Sequence, residues 1–321
     1  MATTDPATAP ALAPVPRPAP TAPAIAVTSE GAAAAAAAAA AFVVAAARGA
    51  ADPHTPVLTP EQLAEFRARG VITVRGLVRP EELAQAAAVF ERLMSGELAV
   101  EGKDHGQHTP GLMNVTAFSL YHDIAALGVF AAIEARAAAV TAQLHGGGMG
   151  MEYNQLLRKL PNRPGARFPT HQDAQYWPKS ASNAFDMRTA TVSIAVNDAT
   201  RANGCLWALP GSHAAGWIYP RRVSRVAESR QDGGGVIELH LDDEDAAARH
   251  FLELKAGDAT IHEEWIVHGS DGNACREATR DTLIFAYREA SMIAAERSVG
   301  FRHSYNDGEA VLRLVRDAIF P

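Results

Sequence analysis

The sequence predicts an antiparallel β-sandwich or barrel with helices on its outside. Three observations carry this reading. From Met151 onward, short strand-like runs alternate with turns: Glu152–Leu160, Thr189–Asn197, Gly204–Leu209, Val236–His240, Ala259–His262 and Thr282–Tyr287. The helical patterns are gathered before that point. No βα period and no longer internal repeat runs through the chain, which disfavours a parallel sheet or a solenoid.

Taken in order, Thr59-Pro60-Glu61-Gln62 reads as a helix start, with Thr59 as N-cap, Pro60 at the first helical position and Gln62 completing a capping box. Gly70 ends that helix, and Val71–Val74 follows as a strand. Pro80 opens a second helix, running to about Met94, with an apolar stripe at Leu83, Ala87, Phe90 and Leu93. Residues 101–122 are polar and irregular. A third helix covers 124–143 and stops before the glycines at 146–148. The stretch 214–250 has little periodicity and reads as an insertion or lid between strands.

The chain has 321 residues, 48% of them hydrophobic, so a sizeable core is available. Its net charge is -7, and no basic block stands out, which argues against nucleic acid as a partner. Two cysteines, Cys205 and Cys275, make neither a disulfide framework nor a zinc motif. A reduced, cytoplasmic setting is expected. Residues 1–56 are rich in Ala and Pro and cannot bury enough surface to fold alone. The alanine run beginning at Ala32 starts late for a secretory signal and is short and weakly apolar for a membrane span. The expected organisation is therefore a disordered tail, 1–56, and one domain, 57–321.

The chemistry is concentrated in His171-Gln172-Asp173. Residues two apart in a strand share a face, so His171 and Asp173 can reach one metal ion while Gln172 points away. One imidazole and one carboxylate suit iron(II), and a second imidazole completes a facial triad with positions open for a co-substrate and dioxygen. His268 is the best source: it ends the apolar run Trp265-Ile266-Val267 and precedes Gly269. Arg280 leads into the apolar strand Leu283–Tyr287. A cation buried there needs a partner, and the distal carboxylate of a dicarboxylate would serve. Iron(II), Asp173, a bound dicarboxylate and Arg280 together carry no net charge. A surface ion pair of Arg280 with Asp281 is the plainer alternative.

Four stretches resemble the phytanoyl-CoA dioxygenase family of iron(II)/2-oxoglutarate oxygenases. They are Leu58–Leu77; His171-Gln172-Asp173 through Tyr176-Trp177; Asn203-Gly204-Cys205-Leu206 with Pro210-Gly211-Ser212-His213; and His268-Gly269-Ser270 with Asn273 and Arg280. Together they cover about residues 58–290 in the family's order. The resemblance implies a mainly β, double-stranded β-helix with flanking helices, a cupin-like jelly roll. It implies that His171, Asp173 and His268 bind iron and that Arg280, helped by Ser270, holds 2-oxoglutarate. It also implies a co-substrate contact from Gln155 and a pocket wall from Trp177. Related halogenases carry a small residue where Asp173 stands, so a carboxylate there implies oxygenation. Arg276 competes for the arginine role, and His262 for the second imidazole; His213 reads as part of a structural turn.

The function expected is hydroxylation of an unactivated carbon in a small-molecule substrate, within secondary or specialised metabolism, with ascorbate as a supporting reductant. No membrane or nucleic-acid partner is expected, and the chain reads as a monomer or homodimer. A metal-dependent cupin hydrolase or isomerase would not need Arg280. A non-catalytic jelly-roll binding protein would not need the triad. Substrate choice would fall to the loops at 101–122, 176–188 and 214–250, with Lys179, Arg188, Trp217, Arg221 and Arg222 as their basic and aromatic contributions.

Overall fold

The computed structural model describes residues 52–98, 110–115, 128–176, 188–215, 223–226 and 236–298. In chain order the elements are α1 (Pro60–Arg69), β1 (Val71–Val74), α2 (Pro80–Met94), β2 (Leu112–Val115), α3 (Gly128–His145), β3 (Met149–Lys159) and β4 (Phe168–His171). Then come β5 (Thr189–Ala195), β6 (Leu206–Ala208), β7 (Val223–Val226), β8 (Val236–Leu239), α4 (Asp243–Ala247) and β9 (His250–Phe251). The last are β10 (Ala259–His262), β11 (His268–Ser270), β12 (Arg280–Glu289) and α5 (Ala290–Ser298).

The strands form a six-stranded sheet, ordered β1-β10-β5-β12-β3-β2, and a four-stranded sheet, ordered β4-β11-β6-β9. Strands β7 and β8 form a separate hairpin. Every pairing is antiparallel. This is the mainly β, helix-flanked architecture read from the sequence. Among the described residues no helix is long and apolar enough to cross a membrane.

Strand alternation gives the large sheet two different faces. Ala190, Val192 and Ile194 of β5 turn outward, with Leu283 and Phe285 of β12, into a core shared with Phe66 of α1, Phe90 of α2 and Phe130 and Ile133 of α3. Thr191, Ser193 and Ala195 turn the other way, toward the small sheet. Strand β5 is therefore buried on both sides, and all seven of its residues are buried.

The start of α1 follows the sequence closely. Thr59 accepts from the Gln62 amide, Gln62 accepts from the Thr59 amide, and Gly70 closes the helix at φ +71°. Helix α2 is rotated from its expected stripe: Ala86, Val89, Phe90 and Leu93 are buried, while Leu83 and Ala87 are half-buried. The cause is electrostatic. Glu82 is buried against the fully buried Arg136 of α3, which also bonds Asp52 and the Leu77 carbonyl. Among the described residues, contacts with the domain reach back to Asp52.

Among the strands, three departures from the sequence reading bear on the sheets. Strand β2 lies in the stretch expected to be irregular; it is a four-residue edge strand with too few positions to show alternation. The hairpin partner β7 lies in the expected insertion. Strand β12 starts at Arg280, two residues early, and extends to Glu289.

A second ion pair pins β3 to β12 on the outward face. Arg158 donates to both oxygens of Asp281 at 2.7 and 2.6 Å, and both side chains are buried. Asp281→Ala would strand the guanidinium in the core, with the exposed Glu91 as its remaining partner. Urea unfolding is expected to show a loss of about 3 kcal/mol. A loss below about 1 kcal/mol would contradict this reading of the pair.

Candidate metal centre

His268 and His171 are directly opposed across the antiparallel β11–β4 pair, so both imidazoles leave the same side of the small sheet. Their ring centroids are 4.2 Å apart. Strand β4 ends at His171, and Asp173 begins a 3-10 turn, Asp173–Tyr176. The expected strand geometry is replaced by a turn, and the result is the same convergence. Asp173 Oδ1 lies 3.4 Å from His171 Nε2 and 3.6 Å from His268 Nε2. The three ligand atoms lie within 4.8 Å of one another.

The other nitrogens fix the tautomers. His171 Nδ1 donates to the Pro169 carbonyl at 2.7 Å, and His268 Nδ1 to the Ile266 carbonyl at 3.0 Å. Each Nε2 therefore presents a lone pair to the centre. Burial, with His171 and His262 alongside, holds His268 well below the usual histidine range. Burial would raise Asp173, but the surrounding imidazoles outweigh it and keep the carboxyl ionised. Two neutral imidazoles and one carboxylate are the donor set a ferrous ion takes, so the residues fit the metal.

The surroundings orient these ligands. Thr191 of β5 donates to Asp173 Oδ2 at 3.0 Å, leaving Oδ1 for the centre. His262 of β10 pairs with Thr191 across the sheet and brings Nε2 to 3.5 Å from Oδ2. It flanks the carboxylate's far oxygen and is not one of the three converging residues. Gln172 points away, as expected, and is buried with its amide on the Trp265 carbonyl. The Pro210–His213 turn is structural. Ser212 Oγ accepts from the Val267 amide, and His213 Nε2 donates to the Arg67 carbonyl.

The opposite end of the interior holds cations. Arg280 is buried, donates from Nη1 to the Gly204 carbonyl at 2.8 Å, and has no partner at Nε. Burial pushes it down to about 10. Gly204 has φ +81°, and a Cβ there would stand 2.3 Å from the Asp271 carbonyl oxygen, so only glycine lets that carbonyl reach the guanidinium. Asp281 is not Arg280's partner; it faces outward to Arg158. Arg276 is exposed in the turn, away from the site.

Ser270 is buried two residues beyond His268 on β11. Its Oγ accepts from Lys159 Nζ at 2.7 Å. Gln155 is buried on the inward face of β3, opposite Ile284. A small cavity lies against Arg280, lined also by Ser193, Thr260, Thr282, Leu206 and Leu254. Arg280 lines that cavity and Lys159 is buried beside it in register; neither has a carboxylate in ion-pair contact among the described residues, which suits a bound dicarboxylate.

Trp177, Lys179, Trp217, Arg221 and Arg222 lie outside the described residues. Arg188 is occupied structurally, on the His145 and Gly147 carbonyls and Glu289. Lys159 and Thr191 were not singled out from sequence. The parity of Tyr153, Gln155, Leu157 and Lys159 along β3 was the available signal for the lysine.

One neighbouring acid offers a test. Glu263 is raised to about 7, chiefly by burial and further by Asp173. From its ordinary value of 4.5 up to about 7, the unfolded chain releases this proton and the folded chain keeps it. Stability is thus lost as pH rises through that window. In metal-free protein, Glu263→Gln is expected to match the parent near pH 4 and exceed it by up to about 3 kcal/mol at pH 8. An advantage independent of pH in thermal unfolding would contradict this.

The comparisons agree with this geometry. The profile of the family Phytanoyl-CoA dioxygenase (PhyH) matches residues 66–280. An ectoine dioxygenase of Streptomyces anulatus is 27% identical over 259 residues, covering 74% of this chain and 86% of that protein. The peroxisomal phytanoyl-CoA dioxygenase of Homo sapiens is 23% identical over 281 residues, covering 80% of each. Among solved structures, EvdO2 from Micromonospora carbonacea var. aurantiaca superposes with a TM-score of 0.56 at 20% identity, covering 73% of this chain and 92% of that one. EctD from S. alaskensis in its apo form gives 0.54 at 20% identity, covering 75% and 82%. These neighbours share the jelly-roll fold. The chain belongs to the phytanoyl-CoA dioxygenase family and, with it, to the 2-oxoglutarate-dependent non-haem iron dioxygenases.

Proposed function

We propose that this enzyme hydroxylates an unactivated carbon of a small-molecule substrate in secondary or specialised metabolism, using iron(II), 2-oxoglutarate and dioxygen. One observation carries the reading. A converging His171–Asp173–His268 set and a buried Arg280 lie at the two ends of one interior between the sheets. A cupin hydrolase or isomerase has no need of the cation, and a binding protein has no need of the ligand set.

The chain's own residues have distinct tasks. His171 Nε2, Asp173 Oδ1 and His268 Nε2 would hold the iron on one face. Backbone carbonyls lock both imidazole rings, and Thr191 fixes the carboxylate. Arg280 and Ser270 would hold the distal carboxylate of 2-oxoglutarate, with Gln155 beside it. Ala195, Leu206, Leu252 and Leu254 wall the cavity and exclude water. When bound, iron(II) with 2-oxoglutarate supplies oxidation of a C–H bond by dioxygen, with succinate and carbon dioxide as co-products. Ascorbate would keep the iron reduced.

For substrate we favour a small polar molecule or natural product. The support is the 86% coverage of a relative named for ectoine. The enzyme would work in the cytoplasm as a monomer or homodimer, without membrane or nucleic-acid partners, through its 57–321 domain.

His171→Ala and Asp173→Ala are each expected to abolish metal-dependent succinate formation; full turnover in either would remove the assignment. Arg280→Ala is expected to raise the 2-oxoglutarate requirement about 30-fold or more while iron binding persists. An unchanged requirement would move the co-substrate carboxylate to another residue.

A further inference from the structure

Lys159 is the last residue of β3 and pairs in register with Arg280 of β12. Its neighbour Arg158 turns outward to Asp281, so Lys159 turns inward. It is among the largest fully buried side chains of the protein. Its Nζ donates to Ser270 Oγ at 2.7 Å and to the Asp271 carbonyl. Both acceptors are neutral, and so is the Phe168 ring, whose centroid lies 5.6 Å from Nζ. Among the described residues no carboxylate is in ion-pair contact with Lys159 or Arg280.

Two adjacent cations in a dry interior repel each other and lose their hydration. Burial, together with the Arg280 guanidinium, accordingly holds Lys159 well below the usual lysine range. A neutral hydrogen-bonding side chain would serve Ser270 and the Asp271 carbonyl without this cost. An anion bound between the two side chains reverses the penalty.

Distance along β11 identifies the anion. Ser270 shares a face with His268 and stands two residues on, about 6.6 Å along a strand. That is the reach of a five-carbon diacid whose other end lies at the metal. We propose that Lys159 is a second cation on the distal carboxylate of 2-oxoglutarate, completing with Arg280 and Ser270 a subsite that one arginine alone does not build. This rests on the co-substrate reading given above. Lys159 sets affinity and selects a 2-oxo acid that ends in a carboxylate.

The test is anaerobic calorimetric titration of the full chain, loaded with iron(II), using 2-oxoglutarate and, separately, pyruvate, which lacks the distal carboxylate. Lys159→Met is expected to leave the Tm of the ligand-free protein unchanged or raised. It should weaken 2-oxoglutarate about tenfold or more and leave pyruvate as it was. Lys159→Arg should recover part of the loss. Parent-like 2-oxoglutarate affinity in Lys159→Met, or equal losses for both acids, would overturn the proposal. So would a fold lost in both Lys159→Met and Lys159→Gln, which would make the amine structural. Failure of the parent protein to bind 2-oxoglutarate, or an Arg280→Ala variant that binds normally, would instead overturn the co-substrate reading itself.

Discussion

Charge buried between the two sheets, its cations without an ion-pair partner among the described residues, governs this structure. A carboxylate framed by neutral imidazoles sits at one end, and a guanidinium and an amine sit at the other. Each costs several kcal/mol to take out of water. A fold keeps such groups only where a ligand returns that energy. Iron at the first end and a diacid across to the second would do so.

The same two strands show the contrast between charge used for the fold and charge kept for a ligand. On the outward face of β3 and β12, Arg158 and Asp281 satisfy each other with two short hydrogen bonds. One residue along, on the inward face, Lys159 and Arg280 are opposed as like charges. The alternation of a strand therefore separates a self-sufficient pair from an incomplete one. Supporting contacts keep the incomplete side in place: Gly204 gives its carbonyl to Arg280, and Asn273 ties the β11–β12 turn to the end of β3.

Much of this was legible in the sequence. The first helix showed its cap, its proline and its terminal glycine, and each acts locally. His171, Asp173 and His268 were visible because two sequence-distant fragments carried a recognisable order. What escaped has physical reasons. Lys159 shares the parity of Gln155, but its meeting with Arg280 depends on the register of β3 against β12, which no local pattern encodes. Thr191 acts only through its cross-sheet position beside Asp173, which no local pattern encodes. The burial of Glu82 depends on Arg136, more than fifty residues away, and rotates α2 against its own apolar stripe. Asp173 itself left the expected strand for a 3-10 turn, because the small sheet pairs His171 with His268 and stops there.

The most direct test of the central claim is an anaerobic crystal structure with iron(II) and 2-oxoglutarate. The expected result is one iron bound by His171, Asp173 and His268, with the far carboxylate of 2-oxoglutarate against Arg280 in the same cavity. Iron held by other side chains, or a co-substrate bound away from Arg280, would contradict the account.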